Sequence, residues 1–97
     1  MVKNIESVSD PARVKRNFAK YKGGDNAVLS LSEKADKKYK VIFDGKTTHF
    51  GSTMADYTKT LDDAKKKSYL ARANGIKGDW KKNKYSANNL AINLLWT

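Results

Sequence analysis

Apolar positions change their spacing several times along this chain, and each change marks an element. Between Lys38 and Phe50 the larger apolar residues fall two apart, at Tyr39, Val41 and Phe43 with Ile42 interposed, and Phe50 follows beyond Asp44-Gly45. Two runs rich in aromatic and β-branched residues, Lys38 to Phe43 and Lys46 to Phe50, flank that dipeptide. Asp-Gly suits a two-residue type I′ turn, in which both positions need positive φ. Such a turn fixes the register, setting Phe43 opposite Lys46, Val41 opposite Thr48 and Tyr39 opposite Phe50. Tyr39, Val41, Phe43 and Phe50 then share the core face, and Lys38, Lys40, Ile42, Thr47 and His49 are expected on the other, mostly wet face. Ala27 to Leu31 also alternates and is expected to add a third strand, with Val28 and either Leu29 or Leu31 inward.

Elsewhere the spacing is helical. Ser9 or Asp10 can cap a helix that has Pro11 in its first position and Val14, Phe18 and Tyr21 along one side, ended by Gly23-Gly24-Asp25. It reads either as an amphipathic helix with a solvated basic face or as an arm for an acidic partner. A central helix is expected over Leu61 to Asn74, capped by Thr60, with Asp62 and Asp63 at its positive end and Gly75 as its stop. Leu61, Ala64, Ser68 and Ala71, widened by Tyr69, Leu70 and Ala73, would form the stripe that packs on the hairpin's aromatic face. Lys65, Lys66 and Lys67 are consecutive, so they fan over about 200° and cannot all meet one partner. Gly75 and Gly78 mark turns before Trp80 and a basic loop. Ser86 can then cap a last helix in which Leu90 and Leu94, and Ala91 and Leu95, pair at helical spacing. That apolar end either folds back onto the core or plugs into a neighbouring subunit. The fold class is small α+β: a two- or three-stranded antiparallel sheet packed by two or three short helices. Residues 1–26 are expected as a basic N-terminal helical arm, and residues 27–97 as the α+β domain.

Ninety-seven residues suffice for one domain with a thin core, since a chain of this length buries only about 60 to 65% of its unfolded surface. Without cysteine it has no disulfide and no thiolate metal site. No run resembles a signal peptide or a membrane span, which implies a soluble protein of a reducing compartment. The net charge of +10 draws it to nucleic acid, an anionic membrane or an acidic protein. That excess lies at the two ends, with +4 in Met1 to Lys22, +1 in Gly23 to Phe50 and +5 in Gly51 to Thr97.

Candidate chemistry is sparse. His49 is the only histidine and reads as structural, and no acidic pair at ligand spacing accompanies it, so neither a metal site nor any other cofactor is expected. Asp62 and Asp63 diverge by about 100° on a helix and read as dipole partners, not a catalytic dyad. Gly23-Gly24 lacks the Lys and hydroxyl of a phosphate loop. Tyr57, Tyr69, Arg72 and His49 could be drawn together as a nuclease-like cluster, but no carboxylate pair is at hand to hold its metal. The expectation is therefore a protein that is not an enzyme.

Several short motifs occur in a fixed order: His49-Phe50-Gly51, Asp56-Tyr57-Thr58, an acid-then-basic helix start from Asp62 to Lys67, Tyr69 with Arg72, Trp80, and a terminal Leu94-Leu95-Trp96. Over Lys37 to Trp96 this series resembles a family of short basic proteins of uncharacterised function from large double-stranded DNA viruses of algae and protists, chlorovirus-like in kind. Relatives tend to carry a histidine directly after the helix arginine, where this chain has Ala73. The resemblance implies a virion protein, held in the host cytoplasm or nucleus before assembly. Two roles follow. One is a minor capsid component that cements larger capsid proteins. The other is a nucleic-acid binder that uses its lysines together with exposed aromatics such as Tyr85 or Trp80. Partner contacts are expected from Arg13, Lys15 and Arg16; from Lys65, Lys66, Lys67 and Arg72; from Trp80, Lys81 and Lys82; and from Leu94, Leu95 and Trp96. Those partners would be capsid or other virion proteins, with nucleic acid as the alternative.

Overall fold

Asp44 and Gly45 adopt φ of 53° and 74°, so the chain reverses through the left-handed turn that the dipeptide favours. The computed structural model describes residues 4–97; residues 1–3 of the expected basic arm lie outside the described residues. On either side of the turn, strand β2 (Tyr39–Phe43) and strand β3 (Lys46–Phe50) pair antiparallel with Tyr39 opposite Phe50, Val41 opposite Thr48 and Phe43 opposite Lys46. That is the register the turn predicts. Strand β1 (Val28–Leu31) joins β2 on its other edge, completing a three-stranded antiparallel sheet of order β1-β2-β3. With its helices, the protein is a small α+β fold.

The inward face carries Tyr39, Val41 and Phe50, all buried, and the half-buried Phe43, while Ile42 lies on the open face. One inward assignment is corrected. Val28 is 55% exposed beside Ile42, and Ala27 and Leu29 point to the core instead.

Helix α1 (Pro11–Lys22) starts as expected, the Asp10 carboxylate accepting from the Arg13 amide. It is not a separate arm: Val14 and Phe18 belong to the same hydrophobic cluster as the sheet. The closing helix α4 (Ala87–Leu90), capped by Ser86, runs on as a π-helical segment, Ala91–Leu95. Its wider turn, closed by the Trp96 amide donating to the Ala91 carbonyl at 3.1 Å, buries Leu90, Ala91, Leu94 and Leu95 together. The Asn17 amide donates to the Leu94 carbonyl at 2.9 Å, tying this segment to α1.

The central helix differs most from expectation. Residues 57–60 form a short helix of their own, α2 (Tyr57–Thr60), and Leu61 leaves it with φ of 52°. Helix α3 (Asp63–Asn74) then starts from Asp62, whose carboxylate accepts from the Lys65 amide. Asp outcompetes Thr60 as a cap, and the left-handed Leu61 separates the two helices. The expected stripe of Leu61, Ala64, Ser68 and Ala71 faces water; Ala73 is buried, with Tyr69 and Leu70 half-buried. The aromatic face of the sheet is covered by α1 and the C-terminal helix instead, which leaves α3 at the periphery.

A candidate partner-binding cleft

Between α3, a single 3-10 turn at Trp80–Lys82 and the C-terminal helix lies a cleft of about 450 Å³. Buried Phe50, Ala91 and Leu95 line its floor, and Tyr69, Ile76, Trp80 and Trp96 stand around them. Trp96 also borders a second recess of about 370 Å³, lined by Met54, Ala55, Lys65, Ser68 and Arg72. Local bonds hold these walls. The Trp96 ring stacks on Tyr69 at 4.3 Å between centroids and 10° between planes. The Trp80 indole N–H donates to the Ile76 carbonyl at 2.8 Å, and the Trp80 carbonyl accepts from Ser86 and Asn89. Asn88 reaches the Ala73 carbonyl at 3.1 Å and so fastens α4 to the end of α3. Among the described residues, Lys37, Lys65 and Arg72 are the charged ones that line the two recesses, and no carboxylate lines either. Burial pushes the Tyr69 phenol above its ordinary pKa, with Arg72 pulling the other way.

The expected partner-binding residues divide between several places. Trp80 and Trp96 border the cleft, and Lys65 and Arg72 line the second recess on which Trp96 also borders. Lys66 turns away and lies over the Tyr57 ring at 4.7 Å; the Arg13 guanidinium lies over that ring at 5.7 Å. Lys15, Arg16, Lys67, Lys81 and Lys82 are exposed, with the Lys81 ammonium 5.5 Å from the Trp80 ring centre. Leu94 and Leu95 are corrected as a plug: both are buried in the chain's own core, onto which the apolar end folds back, and only Leu95 reaches the cleft, as part of its floor. Tyr85 is not an exposed aromatic either, since it is buried, packs on Phe43 at 4.5 Å and donates to Asp25 at 2.8 Å. The imagined nuclease-like group is dispersed, with His49 bonded to Ser32, Tyr57 to Asp63 and Tyr69 stacked on Trp96. Met54 and Ile76 go unrecognised in the sequence, where each is a lone large apolar residue of a polar connection, and Lys37 is one charge among several between Glu33 and Lys40.

A second feature is internal. Lys38, expected on the wet face, is 2% exposed, and its ammonium lies 3.2 Å from the carboxylate of Asp56, which is fully buried. Alternation stops being informative at the strand's end. The connection after β3 folds over that end, and a Cβ at Gly51 (φ 87°) would lie only 3.0 Å from Leu95 and 3.1 Å from Lys38. Lys38 donates to the Met54 carbonyl, and Thr58 donates to Asp56 through both its amide and its hydroxyl. Ser9 lies 3.2 Å from the Thr58 hydroxyl and accepts from Tyr39 at 2.8 Å. Burial holds the Lys38 ammonium below the usual lysine pKa, and Asp56 opposes that shift. Closed off from solvent, this network is a structural staple joining the N-terminal segment, the hairpin and α2.

Among the described residues no three side chains of His, Asp or Glu converge as metal ligands, and no helix is long and apolar enough to cross a membrane. Residues 27–73 match the model of a family of unknown function (DUF5754). The matched stretch runs from the sheet to near the end of α3 and supplies one side of the cleft; Ile76, Trp80 and Trp96 lie beyond it. Neither a curated protein nor a solved structure was found to match the chain.

Proposed function

We propose that this protein is a non-enzymatic structural component of a viral particle, a minor capsid component that cements larger capsid proteins. The observation that carries this reading is the pair of preformed apolar recesses on either side of Trp96, with cations and no carboxylate in their lining. A cement protein must grip its neighbours through a surface that exists before they arrive, and bonds from Asn88, Asn89 and Trp80 hold this one in place. The viral setting rests on the series of motifs from Lys37 to Trp96.

The net charge of +10 favours the competing role, binding to nucleic acid. Placement of the cations weighs against it. The three consecutive lysines of α3 do not form one stripe, because Lys65 joins Arg72 at the recess while Lys66 is drawn onto Tyr57. Lys38, Lys40 and Lys84 are each paired with a carboxylate. Mild disruption of purified particles tests the two roles. The protein is expected to remain with the shell. Recovery with the genome-bearing core would reverse the assignment, as would duplex binding that weakens with a log-log salt slope of about −0.9 per phosphate contacted.

A further inference from the structure

Resting on the docking role just proposed, we infer that the cleft takes a linear, acidic peptide segment of the partner, with a bulky apolar side chain in the recess between Tyr69, Ile76 and Trp80. Charge complementarity selects the segment's sign. Among the described residues, Lys37, Lys65 and Arg72 line the two recesses without a single carboxylate, whereas the recess beside Phe43 includes Asp25 and Asp44 and the one beside Leu31 includes Glu6.

Apolar chemistry selects what enters. At about 450 Å³ the larger recess falls in the range of ligand sites, and its floor is hydrocarbon from Phe50, Ala91 and Leu95. Ile76 is 53% exposed at its edge and Met54 65% exposed at the edge of the other, so both leave apolar surface uncovered in the free protein. An extended segment projects alternate side chains to one side about 7 Å apart, so a single segment can offer two apolar side chains to two recesses that share Trp96 as a wall. Stacked nucleic-acid bases fit less well, because they need open ring faces. Tyr69 and Trp96 already stack on each other, and Lys81 lies by the Trp80 ring.

Trp80 and Trp96 are the chain's two tryptophans and both border the cleft, so their fluorescence reports occupancy directly. The full chain is to be titrated with a short peptide of glutamates flanking two phenylalanines, with the same peptide carrying serines for the phenylalanines, and with oligothymidylate. The phenylalanine peptide is expected to shift the emission and bind, and the serine peptide to bind on the order of tenfold more weakly or not at all. Ile76→Glu, at an exposed position, should weaken binding by about tenfold or more, and Lys65→Glu with Arg72→Glu by several-fold with a flatter salt dependence. Unchanged melting temperatures would show that these variants still fold. Equal binding of both peptides, tighter binding of oligothymidylate, or indifference to Ile76→Glu would overturn the inference. Those results with the protein still in the shell fraction would leave the docking role standing, whereas recovery with the genome-bearing core would remove that role itself.

Discussion

Removing one partner of a buried charge pair can cost more than removing both. The Lys38 ammonium and the Asp56 carboxylate are almost fully withdrawn from water, and each is tolerated because the other is 3.2 Å away and because Met54 and Thr58 supply further hydrogen bonds. Asp56→Ala strands a buried cation and also takes the acceptor from the Thr58 amide and hydroxyl, so it is expected to cost about 3 to 5 kcal/mol. A domain of this size has about 5 to 15 kcal/mol in all, so the variant should be substantially destabilised. The double change Lys38→Met with Asp56→Asn removes both charges yet leaves a cap acceptor and a side chain that fills the lysine's space. It is expected to be clearly more stable than Asp56→Ala alone, with the urea midpoints of the two variants as the measure. The reverse order would show that the pair does not act as a unit.

At the scale of elements, the hairpin was legible because a two-residue turn and a period of two leave almost no freedom. Asp44-Gly45 set the register, and burial of Tyr39, Val41 and Phe50 with Ile42 on the open face follows from it. Both outer helix starts were legible too, through Asp10 before Pro11 and through Ser86. Helix α3 was not. Its small residues at helical spacing imitate a packing stripe, and nothing in that spacing tells that α1 and the C-terminal helix already occupy the sheet. The cleft was half legible, through Trp80 and Trp96 as aromatics of the basic end. Ile76 and Met54 become meaningful only once the fold brings each of them to the edge of one of the two recesses. The same burial ranks two phenylalanines of β2 and β3. Phe50 is 1% exposed, so Phe50→Ala should cost about 3 to 5 kcal/mol. Phe43 is only half-buried against Tyr85, and Phe43→Ala should cost about half as much. Chemical denaturation decides the order, and a larger loss at Phe43 would mean that its contact with Tyr85 outweighs its exposure.

For the whole molecule, the tyrosines link packing to pH. All five have phenols raised above the ordinary value, for different reasons. Burial pushes Tyr39 up to about 12, even though its hydrogen bond to Ser9 acts the other way. Burial also raises Tyr85, reinforced by its bond to Asp25, while at Tyr57 the bond to Asp63 is the leading cause. A phenol whose folded pKa exceeds its unfolded value keeps a proton that the unfolded chain gives up. Its contribution to stability is therefore complete below pH of about 10 and is lost as the pH rises towards 12. Lys38 works in the opposite sense, because its lowered pKa makes the unfolded chain the better proton binder. Several phenols oppose that single amine, so the denaturation midpoint should be lower at about pH 11 than at about pH 9. Tyr39→Phe, which keeps the ring stacked on Phe50 and deletes only the hydroxyl, should lower stability at the milder pH through loss of the Ser9 bond. The drop between the two pH values should also shrink, because the group that resists ionisation is gone. Equal drops in the parent and in Tyr39→Phe would place the alkaline sensitivity on Tyr85 and the outer tyrosines rather than on the buried network at the base of the hairpin.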